Sequence, residues 1–374
     1  VAGTMSKGVN FLMKKNKIKV FTGTASINSD KSITIENSEE VNKISGKHVI
    51  IATGARSREI SSLKQNGINI IGYRKAMTLE KQPKEIIIVG SGAIGIEFAY
   101  FYNSIGTNVN IVEYMPNIVP LEDEDVSKEL AKSFKKKGIN ILTSSEVISV
   151  KKTKNKVIAT IKKNDEETNL ESEILLSAVG IKSNIENIGL EDVGIAVDND
   201  KIIVDKYYNT NIPGYYAIGD VVSGPALAHV ASAEGILCVE KIAGHNVSPI
   251  NYGNIPGCTY CSPEISSVGL TEKQAIEKGY KIKVGKFPFS ASGKASASGA
   301  KEGFVKVIFD EKYGEWLGCH MIGAGVTDMI AEAVLGRKLE TTGTEVLKAI
   351  HPHPTMSEAV MEAVAAAYDE VIHL

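Results

Sequence analysis

The sequence predicts an α/β fold organised around a nucleotide-binding unit of Rossmann type and closed by an α+β unit. Three observations carry that reading. The β-branched run Ile86-Ile87-Ile88-Val89 ends in Gly90-Ser91-Gly92-Ala93-Ile94-Gly95 and passes straight into a helical pattern. A later strand, Tyr216-Ala217-Ile218, delivers Gly219-Asp220 at its carboxyl end, where open α/β sheets hold ligands. Towards the C-terminus the βαβ alternation gives way to successive strands with turns between them and helices after them.

Each glycine of the first stretch has a physical task. Gly90 allows the tight turn, Gly92 lets backbone approach a pyrophosphate, and Gly95 lets helix and strand pack closely. The helix start at Ala93-Ile94 presents N–H groups and a positive dipole end to phosphates, with Ile96-Glu97 completing the motif. A second strand, Asn108 to Val112, ends in Glu113, roughly 20 residues beyond the turn, where a carboxylate can accept hydrogen bonds from an adenosine ribose. No arginine stands beside it to favour a 2′-phosphate, so the expected ligand is NAD. A Rossmann-type unit that binds no nucleotide is the plain alternative.

Composition sets the outer limits. With 374 residues, 43% of them hydrophobic, the chain can bury more than one core. A formal net charge of -2 makes no electrostatic case for nucleic acid or an anionic membrane. No apolar run is long enough to span a bilayer. Four cysteines in so long a chain make no disulfide framework, which suits a reducing compartment. No metal-ligand set is expected. The beginning at Val1, with no methionine and no recognisable first strand before Gly8, reads as a fragment's start.

In chain order, Lys19 to Ala25, Ser32 to Ile35 and His48 to Ala52 read as short strands, the last ending in Thr53-Gly54-Ala55. The acidic run Glu122 to Asp125 precedes a helix over Val126 to Lys137, with lysines at its end and Gly138 stopping it; both charge runs complement the macrodipole. A hairpin-like pair follows around Val147 to Lys163, then the strand Ile174 to Gly180. Pro225 is placed at the first-turn position of an apolar helix over Ala226 to Ala243. Thr271-Glu272-Lys273-Gln274 is a capping box, and Gly279 ends its helix. Strands are expected at Lys281 to Pro288, Phe304 to Phe309 and Trp316 to Ile322, a loop at Ser290 to Gly299, and helices over Val326 to Leu335, Thr344 to Ile350 and Ala359 to Tyr368.

Before the last helix stands His351-Pro352-His353-Pro354-Thr355-Met356-Ser357-Glu358. Each proline pushes the preceding histidine into an extended conformation, a rigid mounting for a side chain whose proton transfers near neutrality. Glu358, five residues on, could orient the His353 ring as an acid–base pair. Thr355-x-x-Glu358 is equally a capping box, which would occupy that carboxylate with backbone N–H groups. Cys258-x-x-Cys261 has redox or metal-pair spacing but no second pair and no helix start after it; ordinary packing is the simpler reading, as for Cys238 and Cys319.

Taken together, Val49-Ile50-Ile51-Ala52-Thr53-Gly54, Val89 to Glu97, Tyr216 to Asp220, Ala226-Leu227-Ala228-His229 and His353 to Glu358 resemble the flavin-dependent pyridine nucleotide–disulfide oxidoreductases. The motifs run in the family's order over essentially the whole chain, and the doubled His-Pro and Glu113 favour its dihydrolipoamide-oxidising branch over glutathione or mercuric reductases. The resemblance implies two Rossmann-like domains, the FAD-binding one incomplete, plus a C-terminal α+β interface/dimerisation domain. Its pieces would be 1–75 and 181–252 for FAD, 76–180 for NAD and 253–374 for dimerisation. Thr53, Gly54, Ala55, Asp220 and Ala226 to His229 would contact FAD; Gly90, Ser91, Gly92, Ala93, Ile94, Gly95, Ile96, Glu97, Glu113, Val147 and Gly180 would hold NAD. His353 would take a thiol proton with Glu358 behind it, across a homodimer, and a cis bond would precede Pro354.

The resemblance also implies lipoyl domains of 2-oxoacid dehydrogenase or glycine cleavage complexes as partners, and a cytoplasmic site, or the mitochondrial matrix or a plastid in a eukaryote. One departure stands out. The family's first FAD turn and its Cys-x-x-x-x-Cys redox pair have no counterpart here, so this chain alone is expected to be inactive. Another NADH-dependent flavoprotein disulfide reductase, or a non-catalytic NAD-binding or dimerisation subunit, are the remaining alternatives.

Overall fold

The computed structural model describes residues 1–374, which form two compact units: Val1–Arg56 with Lys182–Ile250, and Ser57–Ile181 with Asn251–Leu374. The second holds the Rossmann sheet. Its central strand is Glu85–Val89, in which Ile86, Ile87 and Ile88 are wholly buried because helices and an accessory sheet cover both faces. All pairings in this sheet are parallel, and the strand order is Ile70–Ile71, Ile174–Ser177, Glu85–Val89, Asn108–Val112, Asn140–Leu142. The helices Ala93–Ser104 and Glu124–Lys136 make the crossovers. Asp123 caps the second by accepting the Asp125 N–H, and Gly138, at φ 82°, ends it.

The remainder of this unit is the α+β piece. Its antiparallel sheet runs Gly257–Thr259, Glu264–Gly269, Trp316–Gly323, Phe304–Asp310, Ile282–Pro288, with helices Val326–Lys338 and Glu358–Ala367 packed on one face. Gly285 is where the last helix touches the sheet: a Cβ there would lie 1.8 Å from the Ala363 carbonyl oxygen. The capping box at Thr271 and Gln274 forms in full.

In the first unit the strands Val49–Ile51 and Tyr215–Ala217 pair in parallel, so Thr53-Gly54 and Gly219-Asp220 leave the same end of one ladder. A three-stranded antiparallel sheet, Thr24–Ile27, Ile33–Glu36 and Val41–Ile44, accompanies them.

Several expectations are corrected. The strand foreseen at Lys19 to Ala25 begins at Thr24, because Thr24 pairs with Glu36, the last residue of its partner strand, and earlier residues have no ladder to join. Ala2–Lys15 is a helix that buries none of its residues, and Val41–Ile44 is an unforeseen strand. The pair around Val147 to Lys163 gains a third strand, Glu166–Ser172. Gly293–Ser298, read as loop, is a short helix whose cap Ser292 accepts the Ala295 N–H. Pro225 does not open its helix; Leu227, in extended conformation, is the cap and Ala228–Ile242 the helix, since a tight turn in which the Leu227 N–H donates to the Pro225 carbonyl oxygen comes first. Residues 57–75, expected with the first unit, pack in the second: Ile70–Ile71 adds to the parallel sheet and Leu63 is fully buried against Val89 and Val147.

Candidate functional site

A cleft of about 360 Å³ opens above the carboxyl ends of the Rossmann strands. Gly90, Ser91, Gly92, Glu113, Val147, Ala178 and Val179 line it, with Tyr114, Ser145 and Glu146 beside them. Gly90 sits at φ 100°, and a Cβ there would lie 2.4 Å from the Ala178 carbonyl oxygen, so no other residue fits. Gly95 is equally constrained, its virtual Cβ falling 2.0 Å from the Gly90 carbonyl oxygen. Gly92 differs: nothing stands within 4 Å of its missing side chain. That open face lies at the cap of Ala93–Ser104, whose first-turn N–H groups have no intrahelical partners. These residues fit a dinucleotide's pyrophosphate.

Glu113 is buried in the cleft wall, and its carboxylate already serves the protein. Oε2 accepts the Ser91 N–H and hydroxyl at 2.8 and 2.6 Å; Oε1 accepts the Met115 N–H at 2.8 Å. Of about four lone-pair directions one remains for a ribose hydroxyl. Ser91 thus braces Glu113. Two expected NAD contacts point elsewhere. Ile96 is wholly buried in the core, and Glu97 accepts the Tyr260 N–H at 2.9 Å. Gly180, at φ 102°, turns the chain out of the Ile174–Ser177 strand and its carbonyl accepts the Arg58 N–H.

The flavin candidates gather in the first unit. The Thr53 hydroxyl donates to the Asn184 carbonyl oxygen at 2.6 Å, the Asn184 side chain returns a bond to Thr53 O, and its N–H donates to Gly54 O. Gly54, at φ 69°, has nothing within 4 Å of its virtual Cβ. Ala55 begins the strand Ala55–Ser57 and is buried. The Asp220 carbonyl is fixed by the Ser183 hydroxyl and the Lys201 ammonium, both at 2.7 Å. The buried Glu234 accepts the Gly219 N–H at 2.6 Å. Ala226, Ala228 and His229 are exposed and Leu227 half-buried at the start of the Ala228–Ile242 helix. An open glycine and a solvent-facing helix start, in the unit where parallel strands end at Thr53 and Asp220, fit a second dinucleotide. Asn184, Lys201 and Glu234 had no legible signal, being joined to their partners only by the fold.

The last helix resolves the alternatives for Glu358. Its Oε1 lies 2.9 Å from His353 Nδ1, while Oε2 accepts the Thr355 N–H at 2.8 Å. The carboxylate orients the ring and caps the turn at once, one oxygen to each task. The Thr355 hydroxyl turns away from the helix and donates to Pro352 O. His353 is 78% exposed, and the bond before Pro354 is cis. Burial works against ionising Glu358, but the Thr355 N–H and the His353 ring outweigh it, so its pKa lies below the ordinary carboxylate value. With Nδ1 turned to Glu358, Nε2 is the nitrogen open to a substrate proton. The four cysteines are free thiols. Burial raises Cys261 to about 12 and raises Cys319 as well.

Residues 1–235 match the family model described as pyridine nucleotide-disulphide oxidoreductase, and residues 255–364 match that family's dimerisation domain. The chain is 44% identical to the dihydrolipoyl dehydrogenase of Rhizobium etli and 45% identical to that of Zymomonas mobilis, in each case over 100% of this chain and 81% of the relative. Its fold superimposes on crystalline LpdA from Mycobacterium tuberculosis with a TM-score of 0.90 at 25% identity, over 97% of this chain and 80% of that one.

Proposed function

Because the chain belongs to the pyridine nucleotide-disulphide oxidoreductase family, we propose that its two dinucleotide sites and the His353–Glu358 pair supply the cofactor-binding and acid–base parts of the reaction, to which the family's redox disulfide must be added. The activity is dihydrolipoyl dehydrogenase: dihydrolipoamide and NAD⁺ become lipoamide, NADH and a proton. The protein carries the family's dimerisation domain and acts as a homodimer. FAD and NAD⁺, when bound, supply the two-electron relay. Thr53, Gly54, Ala55, Asp220 and the Ala226–His229 segment would hold the flavin nucleotide. Gly90, Ser91, Gly92, the Ala93–Gly95 helix start, Glu113, Val147 and Gly180 would hold the nicotinamide one. The domain reading that goes with this gives FAD the pieces on either side of the NAD unit.

The observation that carries the catalytic reading is the division of labour on Glu358. Anchored through Oε2, it cannot swing away; through Oε1 it fixes the His353 ring with Nε2 outward. In an enzyme that carries the family's Cys-x-x-x-x-Cys disulfide, which none of the four free cysteines here supplies, His353 would take the proton of a dihydrolipoamide thiol, Glu358 would stabilise the resulting imidazolium, and the thiolate would attack that disulfide, whose reduced form passes two electrons on to the flavin and NAD⁺. His353→Gln keeps the ring's volume roughly but cannot accept the proton. In an intact enzyme that carries the redox disulfide, it should lower turnover of dihydrolipoamide by about 10²–10⁴-fold. A near-normal rate would return Glu358 to capping alone. Lipoyl domains of 2-oxoacid dehydrogenase or glycine cleavage complexes are the proposed source of substrate. The cytoplasm is the proposed compartment, on the strength of four free thiols.

A further inference from the structure

The segment that carries His353 holds a second histidine two residues earlier, which the reaction just described does not use. His351 faces inward, its side chain 8% exposed. Its Nε2 lies 2.7 Å from Oε1 of Glu332, on the helix Val326–Lys338, and its Nδ1 lies 3.2 Å from the Ala349 carbonyl oxygen. Both partners are acceptors only. A neutral imidazole has a single N–H and would turn a lone pair towards one of these oxygens; the imidazolium satisfies both. The hydrogen bond donated to Glu332, against partial burial, holds the ring's pKa above the ordinary histidine value. The carboxylates that face it are Glu332 on one helix and Glu358 on another, and Glu358 in turn feels the charges of both His353 and His351.

A carboxylate beside an imidazole favours the ring's cation. For a general base that is a difficulty, because a ring already protonated cannot take a proton from the thiol. We propose that His351 is a positioning residue of the acid–base site: clamped by Glu332, its cation offsets part of the charge of the Glu358 carboxylate that orients the His353 ring. The same clamp, with the Thr355 hydroxyl on Pro352 O, holds the segment 351–355 in place. This rests on the reading of His353 as the base.

Two measurements on the flavin-loaded dimer of the intact enzyme, redox disulfide included, test it. In ¹⁵N-histidine spectra at pH 6.5, where an unperturbed ring is half charged, His351 should give the signal of a doubly protonated ring. Glu332→Gln should shift it towards the neutral form, and Glu332→Asp should restore it. In the pH profile of kcat/KM for dihydrolipoamide, His351→Gln and Glu332→Gln should move the acidic limb about half a pH unit upward, roughly a threefold loss on that limb. A His351 ring half charged or neutral at pH 6.5 overturns the proposal, and the wild-type spectrum alone decides this if a variant fails to fold. So does a profile that is unchanged, or lowered uniformly, as loss of mere mechanical support would produce. Failure of the underlying reading looks different: His353→Gln would turn over near-normally while the His351 spectrum stayed that of a cation.

Discussion

Single residues in this protein divide by what their missing or buried atoms would meet. Gly95 and Gly92 are five and two residues beyond Gly90 in the same turn motif, yet a side chain is excluded from the first by backbone and from the second by nothing in the protein. Gly95→Ala should therefore cost about 1–3 kcal/mol of stability, the range for overpacking, as well as NADH affinity. Gly92→Ala should leave the denaturation midpoint near wild type and lose NADH binding at least tenfold, read by fluorescence titration. Equal stability losses in the two variants would contradict this assignment. The cysteines make a second residue-scale prediction. With Cys261 at about 12, its thiolate at pH 8 is about 10⁻⁴ of the total. Iodoacetamide at that pH should leave Cys261 and the wholly buried Cys319 unmodified until denaturant is added, as mass spectrometry of the digests would show.

At the scale of elements, the helix Glu124–Lys136 and the antiparallel sheet are joined by a buried charge cluster. The Lys306 ammonium, 3% exposed, lies 2.8 Å from Asp123, 3.1 Å from Asp125 and 2.7 Å from Glu272. Asp123 is at once the cap of its helix and the partner of a strand lysine, so the crossover helix is tied to the sheet through its own first turn. This accounts for the polar residues in the wholly buried strands Phe304–Asp310 and Trp316–Gly323. One sheet face packs on the last helices, the other meets this cluster and the buried His320. Lys306→Met leaves Asp123 buried without its counter-charge and should cost about 3–5 kcal/mol. Asp123→Asn combined with Lys306→Met should recover much of that loss in denaturant titrations. A single variant within 1 kcal/mol of wild type, about the size of an exposed pair, would mean that the cluster is effectively solvated.

For the whole molecule the same cluster sets the acid limit. Burial opposes ionisation of Asp123 and Asp125, but the Lys306 ammonium outweighs it, and both lie below the ordinary aspartate value of 3.8. A lowered folded pKa contributes stability that is present above 3.8 and lost as pH falls through the folded value. Acid unfolding should therefore begin below about pH 4 and move towards neutrality in Lys306→Met, followed by circular dichroism against pH. An unmoved acid limb would separate the cluster from acid stability. Local pattern was enough to determine much of this protein. The β-branched run, the three glycines, the capping box at Thr271 and the His-Pro pair each state their own geometry, because the constraint lies in φ, in Cβ and in hydrogen bonds a few residues apart. Tertiary structure alone decided that Ile70–Ile71 joins the Rossmann sheet, that Pro225 stops short of its helix, and that Asn184, Lys201 and Glu234 brace the flavin candidates. It also decided that Glu358 serves ring and helix together and that Glu332 holds His351. Most of those outcomes rest on contacts between residues far apart in sequence; the Glu358 bonds to His353 and Thr355 are local, but how its two oxygens divide between them is fixed only once the chain has packed.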